Sequence, residues 1–277
     1  MSVRRNRITG EPILYAPERA ARPGAFGDRS PERCPFCPGH EVDTPPAIAS
    51  IGDPWRIRVF ANKYPPADGA EVIVESSDHD ATFASIADPV ECVAMYRDRF
   101  AAHAGAPHVS LFRNEGAAAG SSVPHAHSQL VPLPFVPPRI EREIAGFRRA
   151  SNCPLCADGG DVVIAETPRF RWVAPEDSWM PYQQRIVPKP HVQELAALDG
   201  REQDELADLL QRAARATTKI APSWNWMFLP FPRVAEAHLY IELFPRVTTI
   251  AGLELATGTF VEIIDPAAAA RLLTSTR

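Results

Sequence analysis

The chain has 277 residues, of which 45% are hydrophobic and 23% charged, and its formal net charge is −5. This composition is that of a globular protein with one large domain or two of ordinary size, and it argues against a broad nucleic-acid-binding surface. No apolar run reaches transmembrane length and the first residues lack the apolar core of a signal peptide, so we expect a cytoplasmic protein without a membrane partner.

The predicted elements of the first half begin with a cysteine pair, Cys34-Pro35-Phe36-Cys37. The alternating pattern of residues 55–60 and the apolar run 71–75 predict two strands, the second leading to His79. An amphipathic pattern predicts a helix near residues 89–103, and residues 108–114 predict a third strand. The first half is therefore expected to mix strands with one helix.

The segment from Gly116 to Gln129 carries the most functional information. On a strand, His125, His127 and Gln129 share one face, because side chains alternate. The small-residue loop from Gly116 to Ser122 lets the backbone approach a phosphate and offers N–H and hydroxyl donors. Together these features favour phosphorus chemistry with histidine as the nucleophile. A satisfied pair of core histidines is the alternative interpretation.

The second half repeats the order of the first. The cysteine pair Cys153-Pro154-Leu155-Cys156 is followed by predicted strands at 170–173 and 185–188, His191, a predicted helix at 199–217, a predicted strand at 225–231, and His238. Internal duplication explains this correspondence, with residues 1–135 and 153–277 as the two repeats and 136–152 as the connecting segment. The predicted fold is α+β, and each repeat is expected to have strand-strand-helix-strand-strand content.

The duplication separates structural from catalytic residues. Aligning the halves matches His125 with His238, but it replaces His127 by Tyr240 and Gln129 by Glu242. The shared histidines are therefore predicted metal ligands, and His127 is left as the catalytic group. Two thiolates at Cys-x-x-Cys spacing can bind one side of a zinc ion, whereas a redox role is the alternative for such pairs.

These motifs give the chain a resemblance to a known family. The segments that carry it are RNRITG (5–10), APERAARP (16–23), CPFCPGHE (34–41), VFANKYP (59–65), AGLELATG (251–258) and the glycine-to-glutamine stretch. In these segments the chain resembles the galactose-1-phosphate uridylyltransferase family of the histidine-triad superfamily, and it is similar also to the ADP-glucose phosphorylases. The resemblance implies two tandem histidine-triad-like repeats, antiparallel sheets with packed helices, and a homodimer.

The resemblance also implies a ping-pong reaction. His127 attacks the α-phosphorus of a nucleotide-sugar, a sugar 1-phosphate leaves, and a second phosphate then accepts the nucleotidyl group from the histidine. Gln129 would hydrogen-bond the phosphoryl oxygens as their charge shifts. The substrate-binding residues implied by matching position are Arg19, Arg22, Phe60, Asn62, Asn114, Gly120, Ser121, Ser122 and Glu254.

We predict two structural zinc ions per chain. The first ligand set is Cys34, Cys37, His79 and His125, and the second is Cys153, Cys156, His191 and His238. Each is expected to be a closed tetrahedral site without an open position for substrate.

Three departures from the family pattern bear on specificity. Ala126 and Ser128 stand where uridylyltransferases often have proline and glycine, and Ser128 also occurs in phosphorylase-like relatives. Lys63 stands where some transferases have a ribose-contacting aspartate. Uridylyl transfer from UDP-glucose to galactose 1-phosphate is the leading prediction. An NDP-sugar phosphorylase that uses inorganic phosphate and a non-catalytic nucleotide-binding protein are the alternatives.

Overall fold

The structure is a computed structural model that describes residues 2–21, 33–157 and 159–275. It contains short strands, five α-helices and a few 3-10 turns in these ranges. The strands are β1 (Ser2–Arg5), β2 (Pro12–Tyr15), β3 (Ala47–Ile51), β4 (Ile57–Ala61), β5 (Glu71–Val74), β6 (His108–Glu115), β7 (His127–Leu133), β8 (Val162–Glu166), β9 (Phe170–Ala174), β10 (Gln184–Pro188), β11 (Trp224–Leu229) and β12 (Tyr240–Pro245). The helices are α1 (Pro89–Ala102), α2 (Pro138–Arg149), α3 (Gly200–Ile220), α4 (Gly252–Thr257) and α5 (Pro266–Thr274).

Ten of the strands form one antiparallel sheet in the order β3-β4-β5-β7-β6-β11-β12-β10-β9-β8. The order reads as two five-stranded halves that mirror each other and join where β6 pairs with β11. The fold is therefore α+β, with two tandem histidine-triad-like repeats in a continuous sheet. The prediction of four strands per repeat was wrong, because β3 and β8 add an outer strand to each half and each pairs through an irregular register.

One face of the sheet carries the main core. Strand alternation turns Trp224, Trp226 and Phe228 to this face, where they pack with buried residues of α1 and α3. Helix α3 begins with a capping box, in which the Asp199 side chain accepts from the Glu202 amide and the Glu202 side chain accepts from the Asp199 amide. The opposite face is left for polar side chains and smaller apolar clusters.

The connecting segment contains a helix that the sequence did not predict. Helix α2 buries Ile140 and Phe147 against Val187, Leu229 and other apolar residues of the second half. The repeat boundaries at 135/136 and 152/153 remain a prediction. Within the described residues, no helix is both long and apolar enough to cross a membrane.

Candidate active site

A cavity of about 100 Å³ lies against the first half of the sheet, on the face opposite the main helices. Strand β7 directs His127 and Gln129 to this face, and pairing places Val74 beside His127 and Val72 beside Gln129. The cavity is lined by Pro35, Phe36, Asp43, Thr44, Pro45, Phe60, Asn62, Lys63, Tyr64, Val72, Ser122, Val123, His127 and Gln129. A cavity lined by both apolar and polar side chains is suited to a small-molecule ligand.

The tautomer of His127 follows from its hydrogen bond. The Nδ1 atom lies 2.8 Å from the carbonyl oxygen of His125, which can only accept, so Nδ1 carries the proton. The lone pair therefore resides on Nε2. The residue is 7% exposed, and its ring meets that of Phe36 edge-on at 5.2 Å between ring centroids. A neutral imidazole held in this way is a competent nucleophile toward phosphorus.

The loop between β6 and β7 is shaped by two glycines. Gly116 and Gly120 have φ angles of 75° and 90°, in the region that side-chain-bearing residues avoid. The amides of Ala119 and Ser121 donate to the Gly116 carbonyl, and that of Gly120 donates to Ala117, so these three N–H groups are used within the loop. The Ser121 hydroxyl donates to Val123, whereas Ser122 lines the cavity.

The other predicted substrate-binding residues differ in where they lie. Phe60 and Asn62 line the cavity, and Arg19 donates to the carbonyl of Tyr64, another lining residue. Asn114 lies at the end of β6, beside Gly120 in a neighbouring groove. Glu254 lies on α4 and accepts from the Ala251 amide at 2.9 Å, and it is not among the described residues that line the cavity. Arg22 lies outside the described residues.

Two groups of cysteine and histidine are assembled as potential metal centres. The first contains Cys34, Cys37, His79 and His125, and the second contains Cys153, Cys156, His191 and His238. The candidate ligand atoms of each group lie within 4.8 Å of one another. Six sulfur-to-Nδ1 distances within the two groups run from 3.3 to 3.7 Å.

This geometry fits a tetrahedral ion. Zinc–sulfur bonds of about 2.3 Å and zinc–nitrogen bonds of about 2.0 Å at tetrahedral angles separate sulfur from nitrogen by about 3.5 Å. The Nε2 atoms of His125, His191 and His238 face the carbonyls of Ser76, Ala235 and Pro188 at 2.7, 2.9 and 3.0 Å. These carbonyls hold the Nε2 protons and leave each Nδ1 lone pair directed at the thiols, as metal-binding histidines require.

The protonation of the metal-free ligands is set mainly by burial. Burial, with the neighbouring thiol in each pair, raises the pKa of Cys37 and of Cys156 to about 11. Burial, followed by the nearby His191, lowers the pKa of His238 to about 4. The imidazole is therefore neutral and ready to bind, whereas thiol protons would be released on binding of a metal.

The first metal group is linked directly to His127. His125 contributes its imidazole to that group and its carbonyl to the Nδ1 proton of His127. The strand behind them is fixed by a buried cluster in which Glu75 accepts from Tyr96, Ser128 and Arg113. Ser128 follows His127 and points to the other face of the sheet, so both faces of β7 are held.

The equivalent position in the second half has different chemistry. Tyr240 and Glu242 replace the histidine and glutamine, and Glu242 accepts from Arg139 at 2.6 Å and from Gln183 at 3.0 Å. Arg139 also donates to the Tyr240 hydroxyl, so α2 covers this position. Burial and the Glu242 carboxylate keep the pKa of Tyr240 well above its usual range, so its hydroxyl stays protonated.

Several cavity residues were not found from the sequence. Asp43, Thr44 and Pro45 follow the cysteine knuckle, and Val123 precedes the histidine motif. The only signal for these residues in the sequence was their position a few residues from the cysteine pair or from the histidine motif. The sequence indicated a surface or core role for His40, and its Nδ1 lies 2.6 Å from the Cys34 carbonyl, a contact that supports the knuckle.

The chain is similar to several known proteins. Residues 58–137 match the family model described as "Galactose-1-phosphate uridyl transferase, N-terminal domain". The chain is 29% identical to an ADP-glucose phosphorylase of Arabidopsis thaliana, over 98% of this chain and 92% of that protein. It is 27% identical to a galactose-1-phosphate uridylyltransferase of Thermotoga maritima, over 100% of this chain and 98% of that protein. A crystal structure of the Arabidopsis phosphorylase with bound ADP-glucose superposes with a TM-score of 0.80 at 25% identity, covering 99% and 98% of the two chains.

Proposed function

We propose, from the premise that the chain belongs to the galactose-1-phosphate uridylyltransferase family, that it transfers a nucleotidyl group between phosphates through His127. The leading reaction is uridylyl transfer from UDP-glucose to galactose 1-phosphate. The observation that carries the proposal is the His127 ring, whose Nδ1 is bound to a carbonyl while the ring lines the cavity.

In the first step, His127 Nε2 forms a bond to the α-phosphorus of the nucleotide-sugar. The bond from that phosphorus to the bridging oxygen breaks, and the sugar 1-phosphate leaves with the electron pair. In the second step, a phosphate oxygen of the acceptor attacks the same phosphorus and displaces Nε2. The Nδ1 proton stays on the ring throughout, because the His125 carbonyl holds it at 2.8 Å.

Charge on the phosphoryl oxygens increases during both steps, so donors aimed at them accelerate the reaction. We assign this role to Gln129 and Ser122, which line the cavity with His127. Arg19 donates to the carbonyl of Tyr64, which lines the same cavity, and its guanidinium would offset the charge of the leaving phosphate. Asn62 and Phe60 would contact the nucleoside.

We propose that both metal centres hold zinc. Two thiolates and two imidazoles at tetrahedral spacing are a typical ligand set for structural zinc. Among the described residues, each group contains these four ligands and no further histidine, cysteine or carboxylate. Zinc would supply folding energy and no reaction step. The carbonyl of His125 would connect that rigid centre to the nucleophile.

We propose that the protein is a homodimer in which each subunit completes the other's site. Four apolar side chains between residues 251 and 263 are more than half exposed, namely Leu253, Leu255, Val261 and Ile263. We assign this exposed apolar segment to the interface between subunits. Glu254 lies within it and would contact the sugar in the partner's cavity. Mixing Glu254→Ala and His127→Ala subunits should then restore part of the activity that each variant lacks alone.

A phosphorylase is the second candidate, favoured by a specific observation. The chain is 29% identical to the Arabidopsis ADP-glucose phosphorylase, slightly more than its 27% identity to the Thermotoga uridylyltransferase. Lys63 at the rim of the cavity adds a cation close to where an acceptor phosphate would enter. Inorganic phosphate would then replace galactose 1-phosphate in the second step.

A matrix of substrates tests the proposal. UDP-glucose, UDP-galactose, ADP-glucose and GDP-glucose are each offered with galactose 1-phosphate, glucose 1-phosphate or inorganic phosphate, and products are separated by chromatography. Turnover with UDP-glucose and galactose 1-phosphate supports the leading reaction, and turnover with ADP-glucose and phosphate supports the second. No turnover with any pair, together with nucleotide binding, would favour a non-catalytic nucleotide-binding protein.

A further inference from the structure

A side chain from the second half of the molecule contacts the loop between β6 and β7 in the first half. Asn225 on β11 lies directly opposite Asn114 on β6, at the seam where the two halves of the sheet pair. Its Nδ2 donates to the Asn114 Oδ1 at 2.8 Å and to the Ala119 carbonyl at 3.0 Å. Both protons of one amide group are therefore used to hold the loop and its preceding asparagine.

The base of the loop is also seated on the second half. A Cβ atom added at Gly116 would collide with the Ser223 hydroxyl and lie 3.0 Å from the Pro222 carbonyl. Only a glycine lets the two backbones approach this closely. The start of the loop thus rests on residues 222–223, and its 3-10 turn is attached to Asn225.

The bond between the two asparagines fixes the orientation of the Asn114 amide. Because Asn114 Oδ1 accepts from Asn225, the Asn114 Nδ2 is the group turned toward Gly120. A Cβ atom added to Gly120 would lie 3.9 Å from this Nδ2. Asn114 therefore presents a donor, and not an acceptor, to the groove beside Gln129. A donor is the group that a phosphoryl oxygen requires.

We infer that Asn225 is a positioning residue for nucleotidyl transfer, which acts by holding the Asn114 amide with its Nδ2 toward the phosphate. This inference rests on the proposed function. It also changes the role of the second half, which would contribute to the chemistry through Asn225 although its own Tyr240 and Glu242 do not.

The substitution Asn225→Asp tests the inference because it preserves shape and removes both donors. A carboxylate facing Asn114 would make that amide rotate to donate, which would turn Oδ1 toward the phosphate. We expect single-turnover release of sugar 1-phosphate to slow by about 10- to 100-fold. In an Asn114→Ala background the same substitution should slow release by less than about fivefold.

Gln211→Glu is the matched control. Gln211 is also a second-half amide that donates to a first-half carbonyl, that of Ile86 at 2.8 Å, but it lies on the helix-bearing face. This variant should lose a similar amount of thermal stability and keep the wild-type rate. An equal slowing by Asn225→Asp in both backgrounds, or a wild-type rate in Asn225→Asp, would overturn the inference.

Binding of UDP and ADP, measured by calorimetry, separates this inference from the proposed function. Asn225→Asp should weaken binding of the better nucleotide by about 10-fold, whether or not the wild type turns over. A wild type that binds nucleotide and never releases sugar 1-phosphate would contradict the proposed function, while weaker binding by Asn225→Asp would still support the part of the inference in which Asn225 orients the Asn114 amide toward the nucleotide. Unchanged binding in this variant would contradict it.

Discussion

Substitution of Gln129 by alanine should impair catalysis and leave the fold intact. The side chain lines the cavity two residues beyond His127, between Val72 and Phe112 on the neighbouring strands. Loss of one donor to a developing phosphoryl charge costs about 2 to 4 kcal/mol, or roughly 30- to 1,000-fold in rate. The strand pairing of β7 uses backbone groups only, so zinc content and thermal stability should change little.

The equivalent substitution in the second half should have the opposite profile. Glu242 is 1% exposed and binds Arg139 at 2.6 Å and Gln183 at 3.0 Å. The Arg139 side chain is 34% exposed, so the charge left by removing Glu242 keeps part of its solvation, and the loss of folding free energy should be about 1 to 3 kcal/mol. Glu242→Ala should therefore lower the melting temperature and leave the rate per folded enzyme close to that of the wild type.

The assay combines two measurements on the same preparations. Rapid-quench single-turnover experiments give the rate of nucleotidyl-enzyme formation, and calorimetric melting gives the stability. Comparable losses of rate in Gln129→Ala and Glu242→Ala, with unchanged stability in both, would mean that Glu242 contacts the reacting groups as Gln129 does. The assignment of the reaction to the first half would then be wrong.

Two further predictions concern metal and pH. Protein purified without chelator should contain about two zinc ions per chain, and fewer than about one zinc ion by elemental analysis would contradict this prediction. Strong chelators should unfold the protein, and Cys37 and Cys156 should then take up protons. Burial lowers the pKa of His108 to about 4, so the folded protein should lose about 3 kcal/mol of stability as the pH falls from 6.5 to 4, where only the unfolded chain takes up this proton. His108→Gln should remove that part of the acid-side loss in denaturant titrations, and an unchanged pH profile would refute the assignment.

The sequence predicted the histidine motif, the cysteine pairs and the duplicated order because each depends on local spacing. His127 and Gln129 share a face through strand alternation alone, and both metal groups contain the four residues expected. The α+β fold with two tandem repeats was confirmed. These features were accessible because their residue types are rare and their order recurs.

Features that depend on contacts between distant segments were not predicted. Strand β3 lacks a clear alternating pattern and acquires its conformation by pairing with β4. Helix α2 forms in a segment interpreted as a connection, because Ile140 and Phe147 find a partner surface in the second half. The contact of Asn225 with Asn114 spans 111 positions and leaves no periodic signal in the sequence. Asp43 and Thr44 enter the cavity only because the knuckle folds back over the sheet.

The central claim is that His127 carries the nucleotidyl group, and incubation with a nucleotide-sugar alone tests it most directly. Intact-mass and peptide mass spectrometry under non-acidic conditions should detect one acid-labile nucleotidyl adduct on His127, with release of one equivalent of sugar 1-phosphate. His127→Ala should show neither, and Tyr240→Phe should show both. An adduct that forms on another residue, or that persists in His127→Ala, would contradict the account.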